Sequence, residues 1–207
     1  TVNIGGNFSH TAGTITETGS STGSNIRFVA SALPHVYTSG GTISNTVNFI
    51  VNSGATLQMG TAASPAIISG GNGSFTLQSG ATLGVTHSAG ISATGTNTGN
   101  IQVTGARSYS SGNINYMGNV AQATGNGLTA AANVSITNTA GVTFTVQAAV
   151  SGNISMATGT TANLGTGFTH TASSLTLGST NEPINNTYGG SSSSASQKRP
   201  VFFPNTA

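Results

Sequence analysis

The chain has 207 residues, of which 3% are charged, with 30 glycines and no cysteine or tryptophan. Ordinary domains carry about 25% charged residues; here the whole set is Arg27, Arg107, Lys198 and Arg199 against Glu17 and Glu182, a net charge of +2 with no aspartate. This excludes a disulfide framework, a carboxylate-rich calcium site and the many basic contacts on which nucleic-acid binding rests.

Read in chain order, the sequence opens on Thr1-Val-Asn-Ile-Gly-Gly6. This has neither a basic n-region nor an apolar h-region, so any signal peptide is removed or lies outside this stretch. Val2 and Ile4 already alternate with polar neighbours, and no polar cap precedes them. Asn7-Phe-Ser-His-Thr-Ala-Gly13 follows, and its pattern returns at Gly167-Phe-Thr-His-Thr-Ala-Ser173. Thr14, Thr16 and Thr18 come next at i, i+2 spacing, which places them on one face of a strand. Arg27, His35 and Tyr37 lie close in sequence, with Leu33-Pro34-His35 read as a turn between coils.

The central stretch carries the clearest repeat. Asn52-Ser-Gly-Ala-Thr-Leu57 recurs as Gln78-Ser-Gly-Ala-Thr-Leu83, each preceded by alternating apolar residues (Val47, Phe49 and Val51; Phe75 and Leu77). Looser copies run from Val134 to Val146 and from Gly152 to Gly159. Alternation of Val, Ile, Phe and Leu with Thr, Ser and Asn, broken by glycine, predicts many short strands and essentially no helix. Recurrence of one inward pattern predicts an all-β solenoid, a parallel β-helix with coils of roughly 18–26 residues, over residues 1–180. The alternative is a β-sandwich. In a solenoid, Phe49, Val51, Leu57, Phe75, Leu77, Leu83, Ile136, Phe144 and Ile154 face inward. Asn, Ser and Thr at matching positions form hydrogen-bonded ladders along the axis. Residues 181–197 lose the alternation and read as a Gly/Ser-rich linker. Residues 198–207 read as an extended tail around Val201, Phe202 and Phe203.

The string Val47-Asn-Phe-Ile-Val-Asn-Ser-Gly-Ala-Thr-Leu-Gln-Met-Gly60, with Gly99–Tyr109 and Gly125–Leu128, resembles the β-strand-repeat surface proteins of Bacteroidetes-type bacteria. The resemblance spans most of residues 2–178. It implies a secreted or cell-surface protein of β-helical build, often part of a very long chain, and supplies no catalytic residues. Such proteins commonly end in a secretion-sorting domain, which Asn205-Thr206-Ala207 does not resemble.

Chemistry is scarce. Glycoside hydrolysis needs two carboxylates within about 10 Å, and Glu17 and Glu182 sit at opposite ends of the array. A lyase site survives only as Arg27, His35 and Tyr37. His10, His35, His87 and His170 show no zinc spacing, so no metal or cofactor is expected. The expected function is therefore non-enzymatic and extracellular: a structural module of a fibre, filament or adhesin stalk that associates with itself end to end or by its C-terminal tail. Val2, Ile4, Val201, Phe202 and Phe203 are the assembly candidates. An alternative is a glycan- or surface-binding adhesin using Tyr37, Tyr109, Tyr116 and Tyr188, and a further one is ice binding through threonine rows such as Thr94–Thr98 and Thr143–Thr145. No run is long enough to enter a membrane. With histidine the only group titrating near neutrality, stability should hardly change between about pH 5 and 9.

Overall fold

The computed structural model describes residues 1–19 and 23–204. The chain is a β-solenoid, with no helix among these residues. Strand pairing is parallel except at two short reversals, Gly60 against Pro65 and Leu177 against Thr180. Parallel neighbours need crossover connections rather than hairpins, which sets the sandwich aside.

The first sheet stacks Val2–Ile4, Ser24–Phe28, Val47–Val51, Phe75–Leu77 and Arg107–Ser108. A longer sheet runs the length of the described chain. It stacks Phe8–His10, His35–Ser39, Thr56–Thr61, Thr82–Val85, Asn113–Tyr116, Asn133–Ile136, Asn153–Met156 and Ser174–Leu177. Shorter pieces complete the other walls: Thr14–Ile15 with Thr42–Ile43, Ile68–Ser69 with Ile101–Gln102, and further along Gln122–Ala123, Val142–Thr143 and Ala162–Asn163. Ala130–Ala131 pairs with Ala149–Val150 beside them.

Successive coils differ in length, from 19 residues between the paired Ala130 and Ala149 to 33 between Ile68 and Ile101. The longest exceed the expected range because loops are inserted at the corners while the strands keep register. The repeated hexapeptide is such a corner. Ala55 N–H bonds Asn52 C=O at 2.9 Å and Ala81 N–H bonds Gln78 C=O at 3.0 Å. Gly54 and Gly80 sit at φ +76° and +75°, a left-handed conformation that favours glycine as the third residue of a turn.

Eight of the nine residues expected to face inward are buried, including Phe49, Leu57, Phe75 and Leu83 at 0% exposure; Ile154 is half-buried. Register explains the pattern, since Phe49 stacks on Phe75 and Leu57 on Leu83. Outside, the polar ladders form. Asn48 Nδ2 donates to Asn25 Oδ1 at 3.2 Å, and Asn133 Nδ2 donates to Asn113 Oδ1 at 2.7 Å. The backbone N–H of Asn153 donates to Asn133 Oδ1 at 2.8 Å, and the Ser135 and Ser155 hydroxyls meet at 2.8 Å.

The first sheet ends where its core column turns polar. Arg107 pairs with Phe75, the place at which the preceding strands supply an apolar side chain. Its guanidinium bends into the adjoining loop and donates to the carbonyls of Ala93 (2.9 Å), Thr96 (2.7 Å) and Val103 (2.6 and 2.9 Å). One cation thus organises a long loop by filling its carbonyls.

Candidate functional site at the ends of the coil stack

The two ends of the solenoid are finished differently. At the first coil, Val2–Ile4, Phe8–His10 and Thr14–Ile15 each have, among the described residues, a strand neighbour on one side alone. The carbonyls of Ile4, His10, Gly13 and Ile15 accept N–H groups from the second coil. Backbone groups along a strand alternate in direction, so those of Asn3, Ser9 and Thr14 point away from the array, and all three residues are exposed. The core also emerges here: Val2 is 58% exposed, while Ile4, Phe8 and Ile15 are half-buried. Neither proline nor lysine guards these strands, although edge strands are commonly blunted in that way. His35 clamps the first coil to the second, its ring nitrogens lying 2.8 Å from Gly6 O and 2.6 Å from Val29 O.

The last coil is closed by the chain itself. After Gly178, at φ +62°, the backbone reverses, and Thr180–Asn181 pairs antiparallel with Ser174–Leu177. Residues 182–204 then cross the end as a strap. Tyr188–Gly189 pairs with Gln197–Lys198, and the serine-rich stretch forms the loop between them. Arg199 grips Glu182 with two bonds of 2.6 and 2.7 Å. The Arg199 hydrogen bond holds the Glu182 carboxyl below the usual glutamate range. The Arg199 guanidinium also lies 5.7 Å from the centre of the Tyr188 ring.

The expectation of an extended tail that serves assembly is therefore corrected, since the described part of the tail packs on its own last coil. Phe203 is 5% exposed and joins the core, Phe202 is half-buried, and only Val201 stands out, at 74%. Residues 205–207 of the expected tail lie outside the described residues.

The tyrosines expected on the surface are likewise corrected. Tyr37, Tyr109 and Tyr116 are exposed by 1, 4 and 0%. Burial raises all three hydroxyls, that of Tyr37 to about 12. The hydroxyls of Tyr109 and Tyr116 donate to Ser92 O and Thr124 O at 3.1 and 2.8 Å. Their rings stack in the same columns as aliphatic residues, Tyr37 on Met59 and Tyr116 on Ile136. Tyr188 alone is partly exposed, under the strap's arginine.

The remaining chemical candidates do not converge. Arg27 points out of the first sheet while His35 and Tyr37 point into the core beneath the long one. The threonines form no continuous row: Thr14 matches Thr42, but Thr143 stands between Ala123 and Asn163, and Thr94 accepts a bond from the Arg107 N–H. His10 and His170, alike in sequence, differ in place. His10 is buried at a strand end and bonds Gly13 O at 3.3 Å, whereas His170 is bound between Ala148 N–H and Leu164 O. Among the described residues no three metal-ligating side chains lie together, and no helix is long and apolar enough to cross a membrane. No family model matches the chain, and neither the curated proteins nor the solved structures include a significant match.

Proposed function

We propose that the chain is a non-enzymatic extracellular structural module, a rigid segment of a surface fibre or adhesin stalk that associates through its first coil. The supporting observation is the pair of unlike ends. Asn3, Ser9 and Thr14 offer backbone donors and acceptors along three neighbouring edges, and Val2, Ile4, Phe8 and Ile15 offer apolar surface between them. Another coil laid there extends all three sheets at once, by the strand-addition mode. Low net charge opposes such stacking little. Because the strap covers the far end, two copies of this chain meet first coil to first coil. A contact of a surface with itself is isologous and closes, so the product is a dimer rather than an open filament. Fibre growth then requires a coil supplied by a longer array.

The test is sedimentation of the full chain over rising concentration, with electron microscopy of the same samples, beside Asn3→Pro. Proline there removes an N–H that points away from the array and spares the intramolecular pairing. A concentration-dependent dimer that Asn3→Pro weakens is expected. A chain that stays monomeric, or one whose dimer ignores Asn3→Pro, contradicts the reading.

A further inference from the structure

Two inward columns run side by side beneath the long sheet, and they end differently. In one, Tyr116, Ile136, Met156 and Leu177 stack in register and every member is buried. In the other, Ile114 and Val134 are buried, whereas Ile154 and Leu175 above them are half-buried. The cause is topological. The long sheet continues to Ser174–Leu177, one rung beyond the sheet that ends at Ala162–Asn163. The sheet that ends at Ala162–Asn163 supplies no strand to that last rung. The strap passes over it as irregular chain, with Phe203 in the core and Tyr188 and Phe202 packed against it.

The result is a cavity of about 1140 Å³ between the last coils and the strap. Phe144, Ile154 and Leu175 line its floor, and Ile184, Tyr188 and Phe203 its roof. Small-molecule sites commonly span about 300–1,000 Å³ and are mostly apolar with a few polar groups. This one is of that order. Its electrostatics are close to neutral. Glu182 is the one acid on the lining and is engaged by Arg199, and no lysine or arginine lines it. The His170 ring accepts the Ala148 N–H at 3.1 Å through Nδ1 and donates to Leu164 O at 2.8 Å through Nε2, a pattern that the uncharged ring satisfies. Thr169, Asn185 and Asn186 bring hydroxyl and amide groups to the rim.

We propose that this cavity is a binding site for an uncharged amphiphile, with its apolar body on Ile154 and Leu175 and a hydroxyl or carbonyl end at Thr169, Asn185 and Asn186. An ionised ligand would find no opposite charge inside, and a fully polar one would leave the exposed half of two core side chains against water. This role is separate from assembly, which belongs to the opposite end of the rod.

The test uses the full chain and N-phenyl-1-naphthylamine, an uncharged fluorophore, with monolaurin as competitor. Expected are a single saturable site, displacement by monolaurin, and binding unchanged in Asn3→Pro. Leu175→Trp fills the cavity, and Ile154→Ala removes part of its floor; each should weaken binding about tenfold or more, the scale of a few buried methylenes of lost contact. Ile154 is half-buried, so its truncation is mild and decides the matter even if Leu175→Trp does not fold. Absence of saturable uptake, or uptake that Ile154→Ala leaves unaltered, overturns the proposal.

Discussion

Ala162 donates its backbone N–H to the carbonyl of Phe202 at 2.7 Å. That bond closes the edge of the sheet formed by Gln122–Ala123, Val142–Thr143 and Ala162–Asn163, as Thr180–Asn181 closes the edge of the long one. Repeat arrays need finished ends because an open coil exposes both apolar core and unpaired backbone. Here the tail finishes one end, while the first coil has strand neighbours on one side alone among the described residues.

If the tail is a cap held by packing, Phe203 is its main anchor. Replacing Phe203 by alanine should cost about 3 kcal/mol, the low end for a buried phenylalanine because the site lies at the end of the core. Denaturant melts measure this directly. A cost below about 1 kcal/mol would mean that the tail is only lightly seated.

The same anchor carries an acid-sensitive bond. Glu182 is held below the ordinary value of 4.5 by the Arg199 hydrogen bond. Its contribution is therefore whole above that value and is lost as pH falls through the depressed one. His87 and His170 lie below the ordinary 6.5, both chiefly through burial. Their uncharged forms suit the fold, so stability is whole above 6.5 and falls as pH drops below it. The flat range expected from composition thus ends on the acid side near the histidine value, and the melting temperature should fall between about pH 7 and 5 and again below 4.5. A melting temperature that is constant or rises across that interval would reject this assignment.

Arg107 makes a sharper prediction, because its partners are carbonyls rather than acids. Arg107→Met keeps the length and removes every donor. One hydrogen bond to a charged group is worth about 1.5–3 kcal/mol; the Arg107 bonds share one half-buried guanidinium and do not add, so a loss of about 2–4 kcal/mol is expected. Amide exchange should accelerate across residues 92–98. Arg107→Lys should recover little, since an ammonium cannot reproduce the guanidinium fork. Recovery to wild-type stability by lysine would show that charge alone suffices.

Much of this architecture is legible in the chain because parallel coils repeat their side-chain roles. Asn52–Leu57 and Gln78–Leu83 match by eye, and their turns, glycines and inward leucines coincide in space. The asparagine ladders follow from the same register. What escapes is whatever depends on partners distant in sequence and unlike in type. Tyr37 stacks on Met59, and Arg107 stands over Phe75; neither pair looks like a repeat. The strap escapes for another reason. Gly189–Ser196 has the composition of a linker, but Glu182 and Arg199, flanking it in sequence, pin its two ends. Two opposite charges in a chain with so few were the available signal.

The last prediction compares two isoleucines in one column. Ile114 and Ile154 both stack on Val134, on either side of it, and both point inward from the long sheet. Local sequence treats them alike, Asn113-Ile-Asn against Asn153-Ile-Ser. Their surroundings differ, with Ile114 at 1% exposure and Ile154 half-buried against the cavity under the strap. Truncating a buried isoleucine loses its transfer energy and leaves a void, about 3–4 kcal/mol together. At Ile154 part of the transfer energy is already forgone and the void merges with one that exists. Ile154→Ala should therefore cost about half as much as Ile114→Ala, roughly 1.5–2 kcal/mol by the same scale. Monolaurin, if it occupies the cavity, should raise the melting temperature of the Ile114→Ala protein more than that of Ile154→Ala, which has lost part of the binding floor. Equal costs in denaturant melts would mean that the strap packs down on Ile154 in solution and that the cavity is closed.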